Sequence, residues 1–221
     1  MVSTPIHRQR KVWPVASNAF LLLLAALSTF LFFTREPKKH EVLKVSIMPA
    51  ENTKITGQLA ISPDGKKIVY VAKTIEGETA LWLRYVNSLD SKRLPGTQDA
   101  TLPFWSPDSR FLGFFAEGKL KKMDIAEGPP QVLADAPAGR LGTWNKNGVI
   151  VYSPNFSATP LQRISASGGT STALIQSTTS KNQNFPLFLP DQNHFLFPAS
   201  ISIVLLRATE FIFNRTIQTG S

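Results

Sequence analysis

Between residues 53 and 199 the hydrophobic pattern is that of β-strands. Short runs of apolar and β-branched residues alternate with clusters of Pro, Gly, Asp and Asn. The most regular example is Thr101 to Phe115, in which two apolar runs flank Ser106-Pro107-Asp108-Ser109. Ser at the first corner, Pro with a preset φ at the second and Asp at the third are typical of a tight turn. This stretch therefore predicts two antiparallel strands joined by a turn.

The strand–turn–strand unit occurs four times. Its corner residues are Asp64, Asp108, Asn147 and Asp191, which are 44, 39 and 44 residues apart. A period of about 40–45 residues that carries short strands is typical of β-propellers, with one blade per repeat. Because each of the four stands at the same corner, we interpret them as turn caps rather than as calcium ligands. The remaining repeat-turn residues are Pro63, Gly65, Pro107, Gly148 and Pro190.

The pattern predicts an all-β fold, a partial propeller with three four-stranded antiparallel blades and an incomplete fourth. The blades occupy residues 53–200, and 201–221 form an atypical tail without a turn motif. Trp105, Trp144 and Phe188 precede the turns, so we expect these aromatic side chains to pack between blades rather than form a ligand cage. At Gly113 we expect a neighbouring backbone to come close.

The N-terminal part has a different pattern. After a short tail at 1–12, residues 13–33 contain no charge and, as a helix, would be roughly 31 Å long, which matches a bilayer core. We interpret this segment as an uncleaved transmembrane helix, since no small-x-small site favours the alternative of a signal peptide. Basic residues stand on both sides, so charge leaves the orientation open. Residues 34–52 are read as a linker with a lone strand at 42–48.

Composition limits the chemistry. The chain has 221 residues, no cysteine and a net charge of +9 that is concentrated near the N-terminus, so we predict no nucleic-acid partner. His7, His40 and His194 stand far apart, and no Gly-x-Ser-x-Gly elbow occurs. We therefore predict no catalytic residue, no cofactor and no metal site, and a protein that is not an enzyme. His194 is interpreted as a solvated turn residue.

The repeats resemble TolB-like propellers, whose blades carry a Trp-Ser-Pro-Asp-Gly turn. The resemblance covers about residues 45–199 and is strongest in Pro103-Phe104-Trp105-Ser106-Pro107-Asp108-Ser109-Arg110. Behind one membrane helix, this arrangement is similar to the C-terminal sensor part of bacterial transmembrane serine/threonine kinases, notably those of acidobacteria. The resemblance implies a single-pass protein of the cell membrane with a cytoplasmic N-terminus and an extracytoplasmic propeller.

Two departures from that family matter. The chain has no Gly-rich phosphate loop, His-Arg-Asp or Asp-Phe-Gly motif, so kinase activity is not carried over. It also has fewer blades than the six or more that the resemblance implies. Unclosed blades expose strand edges that invite self-association, and either a truncated product or closure by a second copy fits the sequence.

These features predict a membrane-anchored, non-catalytic propeller that binds a protein or small ligand outside the cytoplasm, as a sensor-type fragment of a receptor-like kinase. The alternative is an orphaned propeller of a peptidase or of a membrane-bound transcriptional regulator. Both interpretations predict binding without turnover.

Overall fold

The computed structural model describes residues 23–30, 46–126, 128–155, 159–174, 185–199 and 202–208. The chain divides into two compact units, Met1–Lys44 and Val45–Ser221.

In the first unit, residues 23–30 form a helix. Its large apolar side chains are exposed, among them Leu23 and Phe30. The rest of the predicted membrane segment lies outside the described residues. Within the described residues, no helix combines the length and the apolar character that crossing a bilayer requires.

The second unit is built from β-strands. In chain order they are β1 Thr53–Ile61, β2 Lys67–Thr74, β3 Thr79–Tyr85, β4 Ser91–Arg93, β5 Thr101–Trp105, β6 Phe111–Ala116, β7 Lys119–Asp124, β8 Gln131–Asp135, β9 Gly142–Trp144, β10 Val149–Tyr152, β11 Gln162–Ser165, β12 Thr172–Ala173, β13 Leu187–Phe188, β14 His194–Ala199 and β15 Ser202–Arg207. They form four sheets in which spatial order follows chain order: β1–β4, β5–β8, β9–β12 and β13–β15. We call these sheets blades 1 to 4. The strand pairs are antiparallel throughout, which confirms the all-β fold with antiparallel blades.

The ends of the repeat region differ from the prediction. Blade 4 extends past the predicted boundary at residue 200, because β15 pairs with β14 from Ala199↔Ser202 to His194↔Arg207. Although no turn motif follows it, β15 is therefore stabilised by pairing with β14 in a hairpin. At the other end, residues 46–50 have no regular secondary structure, and the remainder of the predicted lone strand lies outside the described residues.

The blades pack face to face in sequence. Their first strands, β1, β5, β9 and β13, contact one another in succession. Three hydrophobic layers fill the spaces between successive blades, and Trp105, Trp144 and Phe188 lie in the first, second and third layer. Fully burying an aromatic or aliphatic side chain stabilises a fold by about 1.5–3 kcal/mol, so these layers hold the array together.

The second layer shows how closely two blades approach. The ring of Phe104 lies between Gly113 of its own blade and Gly142 of blade 3. A Cβ atom added at Gly113 would stand 2.3 Å from this ring, and one added at Gly142 would stand 2.4 Å from it. The group that requires Gly113 is therefore an aromatic side chain, whereas the sequence predicted a neighbouring backbone.

Candidate functional site

The predicted turn residues lie at one end of the blades, which we call the turn end. In blade 1, Ser62 Oγ donates to Asp64 Oδ1 (2.5 Å) and accepts from the backbone N–H of Lys67 (2.9 Å). Ser106 makes the same two contacts in blade 2, with Asp108 (2.5 Å) and Phe111 (2.8 Å). Each Ser-x-Asp pair thus accepts hydrogen bonds from backbone N–H groups of the turn, which the sheet cannot satisfy.

Asp64 is held in its charged form. Its Oδ1 also accepts from the backbone N–H of Lys66 (3.0 Å), and its Oδ2 pairs with Lys67 Nζ (3.3 Å). Mainly the Ser62 hydroxyl, followed by the Lys66 N–H, lowers the pKa of Asp64 to about 2. Hydrogen bonds that favour the charged form are the cause.

The third and fourth turns reach the same result with other residues. In blade 3, Asn145 Oδ1 accepts from the backbone N–H groups of Asn147 (3.0 Å) and Val149 (2.9 Å). The capping oxygen of this turn therefore belongs to Asn145, whereas the repeat pattern assigned that role to Asn147. In blade 4, Asp191 Oδ1 accepts from the backbone N–H of His194 (3.0 Å), and its Oδ2 is 2.5 Å from His194 Nδ1.

These bonds make Asp191 a second strongly acidic carboxyl. The His194 backbone N–H contributes most, ahead of the His194 ring, and together with Asn193 they lower the pKa of Asp191 to about 2. His194 is partly exposed, as expected of a turn residue, and its ring contacts the turn carboxylate.

The last corner of each turn adopts the left-handed backbone conformation. Gly65 and Gly148 occupy this corner in blades 1 and 3 with φ of 70° and 74°. In blades 2 and 4 it is occupied by Ser109 (φ 60°) and Gln192 (φ 63°). A non-glycine residue in this conformation costs roughly 1–2 kcal/mol, so a compensating contact is expected.

Ser109 and Gln192 both bond to the preceding blade. Ser109 Oγ accepts from the backbone N–H of Asp64 (3.0 Å), and the Ser109 carbonyl accepts from Lys67 Nζ (2.9 Å). Gln192 accepts from Asn145 Nδ2 (3.0 Å) through its carbonyl and from the Lys146 N–H (3.2 Å) through Oε1. The turn residues therefore connect neighbouring blades, which is a structural role.

The other end of the blades, where β5, β9 and β13 begin, has different features. We call it the loop end. Two bulky residues here have positive φ, Leu102 (51°) and Phe185 (58°), and Phe185 is 51% exposed. Strained backbone at bulky residues is concentrated at functional sites. The β6–β7 hairpin adds Glu117, whose pKa is lowered by its hydrogen bond and ion pair with Lys121.

A cleft opens between blades 2 and 3 and reaches the loop end. It has a volume of about 360 Å³. Its lining residues, from the last strand of blade 2 and from blade 3 with its loops, are Leu133, Ala134, Asp135, Pro137, Tyr152, Pro154, Gln162, Gly169 and Ser171. We call this the blade 2–3 cleft.

The polar groups of the cleft form a chain. The Tyr152 hydroxyl is 2.9 Å from Ser171 Oγ, which donates to Gln162 Oε1 (3.2 Å). In the Tyr152–Ser171 bond either hydroxyl can donate. Burial raises the pKa of Tyr152, so its hydroxyl stays protonated. Because its lining combines apolar side chains with the Asp135 carboxylate and a row of hydroxyl and amide groups, the cleft can orient a small polar molecule or a side chain of a partner.

The sequence did not predict this cleft. Tyr152 lies in β10, Gln162 in β11 and Ser171 immediately before β12, and they carry no common motif. They come together within blade 3, where Tyr152 and Gln162 are register partners, and the packing of blade 3 on blade 2 adds the opposite wall of the cleft. Across the described residues, no three His, Asp or Glu side chains converge on a metal-binding group.

Comparison with solved structures shows the same fold in several proteins. A putative TolB from Agrobacterium tumefaciens matches with a TM-score of 0.59 at 16% identity, covering 70% of this chain and 62% of the other. Puromycin hydrolase matches with a TM-score of 0.54 at 18% identity, covering 67% of this chain and 26% of the other. An oligogalacturonate lyase in complex with manganese matches with a TM-score of 0.52 at 18% identity, covering 71% of this chain and 51% of the other.

These likenesses concern the fold alone. The chain spans 62%, 26% and 51% of the three proteins, so it corresponds to part of each. No protein-family profile matches the chain, and no curated protein matches its sequence. The described part of the chain has the fold of TolB-like β-propellers.

Proposed function

We propose that the protein is a non-catalytic binding module, tethered to the cell membrane, that binds a protein or small ligand outside the cytoplasm through its loop end. The observation that carries the proposal is the blade 2–3 cleft, in which Tyr152, Ser171 and Gln162 form a hydrogen-bonded polar row beside apolar side chains and the Asp135 carboxylate. Loops held by a rigid scaffold are the usual place for binding residues.

The scaffold behind the cleft supports this role. Phe115 and Tyr152 face each other across the blade boundary with ring centroids 6.4 Å apart, and both side chains are buried. At Gly139, in the loop before blade 3, an added Cβ would meet the ring of Phe115 at 2.1 Å. Such close packing leaves the cleft walls little freedom to move, which lowers the cost of ordering them on binding.

A ligand screen tests the binding proposal. The purified full-length chain in a mild detergent is heated with a panel of sugars, amino acids and short peptides. The cleft variants Gln162→Ala and Ser171→Ala are compared with Ser167→Ala, an exposed serine outside the cleft. A compound that raises the melting midpoint of wild type and of Ser167→Ala, but not of the cleft variants, supports the proposal. A compound that stabilises all four proteins equally places binding elsewhere.

The membrane tether is a separate part of the proposal. Residues 13–33 carry no charge, and in the described helix Leu24 and Leu27 are 46% and 53% exposed, although they are strongly apolar. Charged residues at the centre of a membrane helix cost about 2.5–3.5 kcal/mol each on the insertion scale. We expect Leu24→Arg with Leu27→Arg to release the protein from membranes washed with carbonate, whereas Leu89→Arg, an exposed loop change, leaves it in the pellet. Wild-type protein in the supernatant contradicts the tether.

The absence of cysteine gives a direct test of orientation. A single cysteine at Leu89, which is 85% exposed, provides the only thiol in the chain. We expect a membrane-impermeant maleimide to label it in intact cells. Labelling that requires cell lysis would place the blades in the cytoplasm.

We further propose that the module serves as a sensor part of a receptor-like serine/threonine kinase whose catalytic domain is a separate polypeptide. Crosslinking in membranes followed by a kinase assay of the captured complex tests this link. The alternative, an orphaned propeller of a peptidase, shares the binding role and differs in the partner, which would be a hydrolase.

A further inference from the structure

The blade 2–3 cleft carries one ionised side chain. Among its nine lining residues, Asp135 alone is charged at neutral pH, and none of the nine is lysine, arginine or histidine. The Asp135 side chain is 77% exposed, so solvent reaches its carboxylate. The cleft is therefore negative within a chain whose net charge is +9. An anionic ligand would find no positive side chain on its walls, whereas a cationic ligand would find a carboxylate.

One oxygen of this carboxylate is able to accept a further hydrogen bond. Lys119 Nζ donates to Asp135 Oδ1, and within the described residues Asp135 Oδ2 has no hydrogen-bond partner. Lys119 does not line the cleft, and its side chain is 44% exposed. An exposed ion pair of this kind contributes little to stability and does not engage the second oxygen. Asp135 thus offers a cation one acceptor atom.

The polar row of the cleft lies close to this carboxylate. Burial is the main cause of the raised pKa of Tyr152, and the negative charge of Asp135 also raises it, so the carboxylate lies near enough to act on the Tyr152 hydroxyl. The side-chain oxygens of Tyr152, Ser171 and Gln162 have lone pairs that the two bonds joining them do not use up. Together with Asp135 Oδ2, they supply several acceptors in one cleft.

This set of acceptors fits an ammonium group better than a guanidinium. An ammonium has three N–H donors that point in different directions, so it can bond to one carboxylate oxygen and to the hydroxyl or amide oxygens beside it. A guanidinium binds a carboxylate most strongly through both oxygens, and Lys119 already bonds to Asp135 Oδ1. The apolar side chains of Leu133, Pro137 and Pro154 suit the methylene stem that carries such an ammonium.

We propose that the ligand of the blade 2–3 cleft carries an alkylammonium group, as a lysine side chain or a small aliphatic amine does. Asp135 Oδ2 accepts one proton of this group, and the polar row accepts the others. This inference rests on the proposed function, because it names the chemical class that the cleft binds. It predicts a preference for lysine over arginine and over a neutral chain of similar length.

Matched probes test for the ammonium group. Their dissociation constants are measured by titration calorimetry on the full-length chain in a mild detergent. The probes are N-acetyl-lysine methylamide and the corresponding arginine, norleucine and glutamate compounds, of which norleucine keeps an unbranched apolar chain without a charge. We expect the lysine probe to bind about tenfold or more tightly than each of the others, because hydrogen bonds between charged groups are the strong ones. A norleucine or glutamate probe that binds wild type as tightly would overturn the proposal.

Two variants test whether the ammonium lies at Asp135. Asp135→Asn keeps the shape of the side chain and removes its charge, so it should weaken binding of the lysine probe by about tenfold. Asp90→Asn is the matched control, because it removes the same charge from an exposed position outside the cleft. Equal effects of the two variants on the lysine probe would refute the assignment to Asp135.

Lys119→Met should produce a gain of binding, which a folding defect does not imitate. It releases Asp135 Oδ1, so the arginine probe can bond to both carboxylate oxygens and should bind about tenfold more tightly than to wild type. Lys92→Met, at an exposed position of β4, controls for the lost positive charge. Arginine binding that Lys119→Met leaves unchanged, or that Lys92→Met increases equally, contradicts the arrangement at a single oxygen.

n-Butylamine distinguishes the two sources of the group. If it binds wild type as tightly as the lysine probe, a small amine is sufficient. Selective binding of the lysine probe indicates the side chain of a protein partner. Either result agrees with an alkylammonium ligand.

The same variants separate this inference from the proposed function. A sugar whose binding is weakened by Gln162→Ala but not by Asp135→Asn, in a protein that does not bind the lysine probe, supports a binding cleft and refutes its preference for an ammonium. If binding of every probe and every compound of the ligand panel is independent of Gln162, Ser171 and Asp135, both proposals fail.

Discussion

The hydroxyl of Ser109 allows the energy of one hydrogen bond between blades 1 and 2 to be measured. Its side chain accepts the Asp64 N–H (3.0 Å) across the boundary between blades 1 and 2, while its backbone has a φ of 60°. The hydrogen bond contributes about 0.5–1.5 kcal/mol, and the left-handed conformation costs roughly 1–2 kcal/mol for a residue with a Cβ. The two effects are similar in size and opposite in sign.

Two substitutions separate them. Ser109→Ala removes the hydroxyl and keeps the Cβ, so we expect a loss of about 0.5–1.5 kcal/mol. Ser109→Gly removes the hydroxyl and also the strain, so it is expected to be more stable than Ser109→Ala by roughly 1–2 kcal/mol. Lys67 Nζ bonds to the Ser109 carbonyl, which both variants retain, so this second contact does not change.

Gly148 supplies an independent measure of the strain. It stands at the same corner in blade 3 with a φ of 74°, and an added Cβ would meet no atom within 4 Å. The cost of Gly148→Ala should therefore equal the difference between Ser109→Ala and Ser109→Gly, since each compares Ala with Gly at this corner. Urea unfolding followed by tryptophan fluorescence gives the three free energies of unfolding. A mismatch above about 1 kcal/mol, or a neutral Ser109→Ala, would refute the assignment.

Three further predictions follow from named contacts. Gly113→Ala places a Cβ 2.3 Å from the Phe104 ring and should lower the free energy of unfolding in urea by about 1–3 kcal/mol. The loss should be smaller when Phe104→Leu is also present. An equal loss in the double variant would contradict the contact. Trp105→Phe removes the donor to Ala60 O and should lower the free energy of unfolding by about 1 kcal/mol more than Trp82→Phe, because Trp82 Nε1 has no partner among the described residues. Equal losses in the two variants would argue against the Trp105–Ala60 bond. The pKa of Asp191 is about 2 in the folded protein and about 3.9 in an unfolded chain, so its contribution to stability is present above pH ~4 and is lost as the pH falls toward ~2. In Asp191→Asn the urea midpoint should therefore depend less on pH in that window. An unchanged pH dependence would contradict this contribution of Asp191.

The turn chemistry was readable from the chain because it is local. Ser62, Asp64 and Lys67 lie within six residues, and their bonds depend only on backbone geometry that this short segment determines. The same holds for Asp191 and His194. Where local patterns allowed two solutions the prediction failed, as at Asn145, which caps its turn from the first corner instead of the third.

The candidate site was less accessible to such reasoning. Tyr152 and Ser171 are 19 residues apart, and they meet across β11, because β10 and β12 flank that strand in blade 3. A hydrophobic pattern assigns such residues to strands but contains no information on which strand of another blade faces them. Strain at Leu102 and Phe185 is likewise invisible in residue type, because leucine and phenylalanine normally avoid positive φ.

By itself, the sequence determined the strands, the turns, the period and therefore the antiparallel blades, since each of these results from interactions between residues close together along the chain. Only the tertiary structure decided what lies between the blades: the ring of Phe104 against two glycines, the hydroxyl of Ser109 on the Asp64 N–H, and the cleft at Tyr152. The physical reason is that packing between sheets joins residues about one repeat apart, and the choice of partner depends on how the blades are stacked.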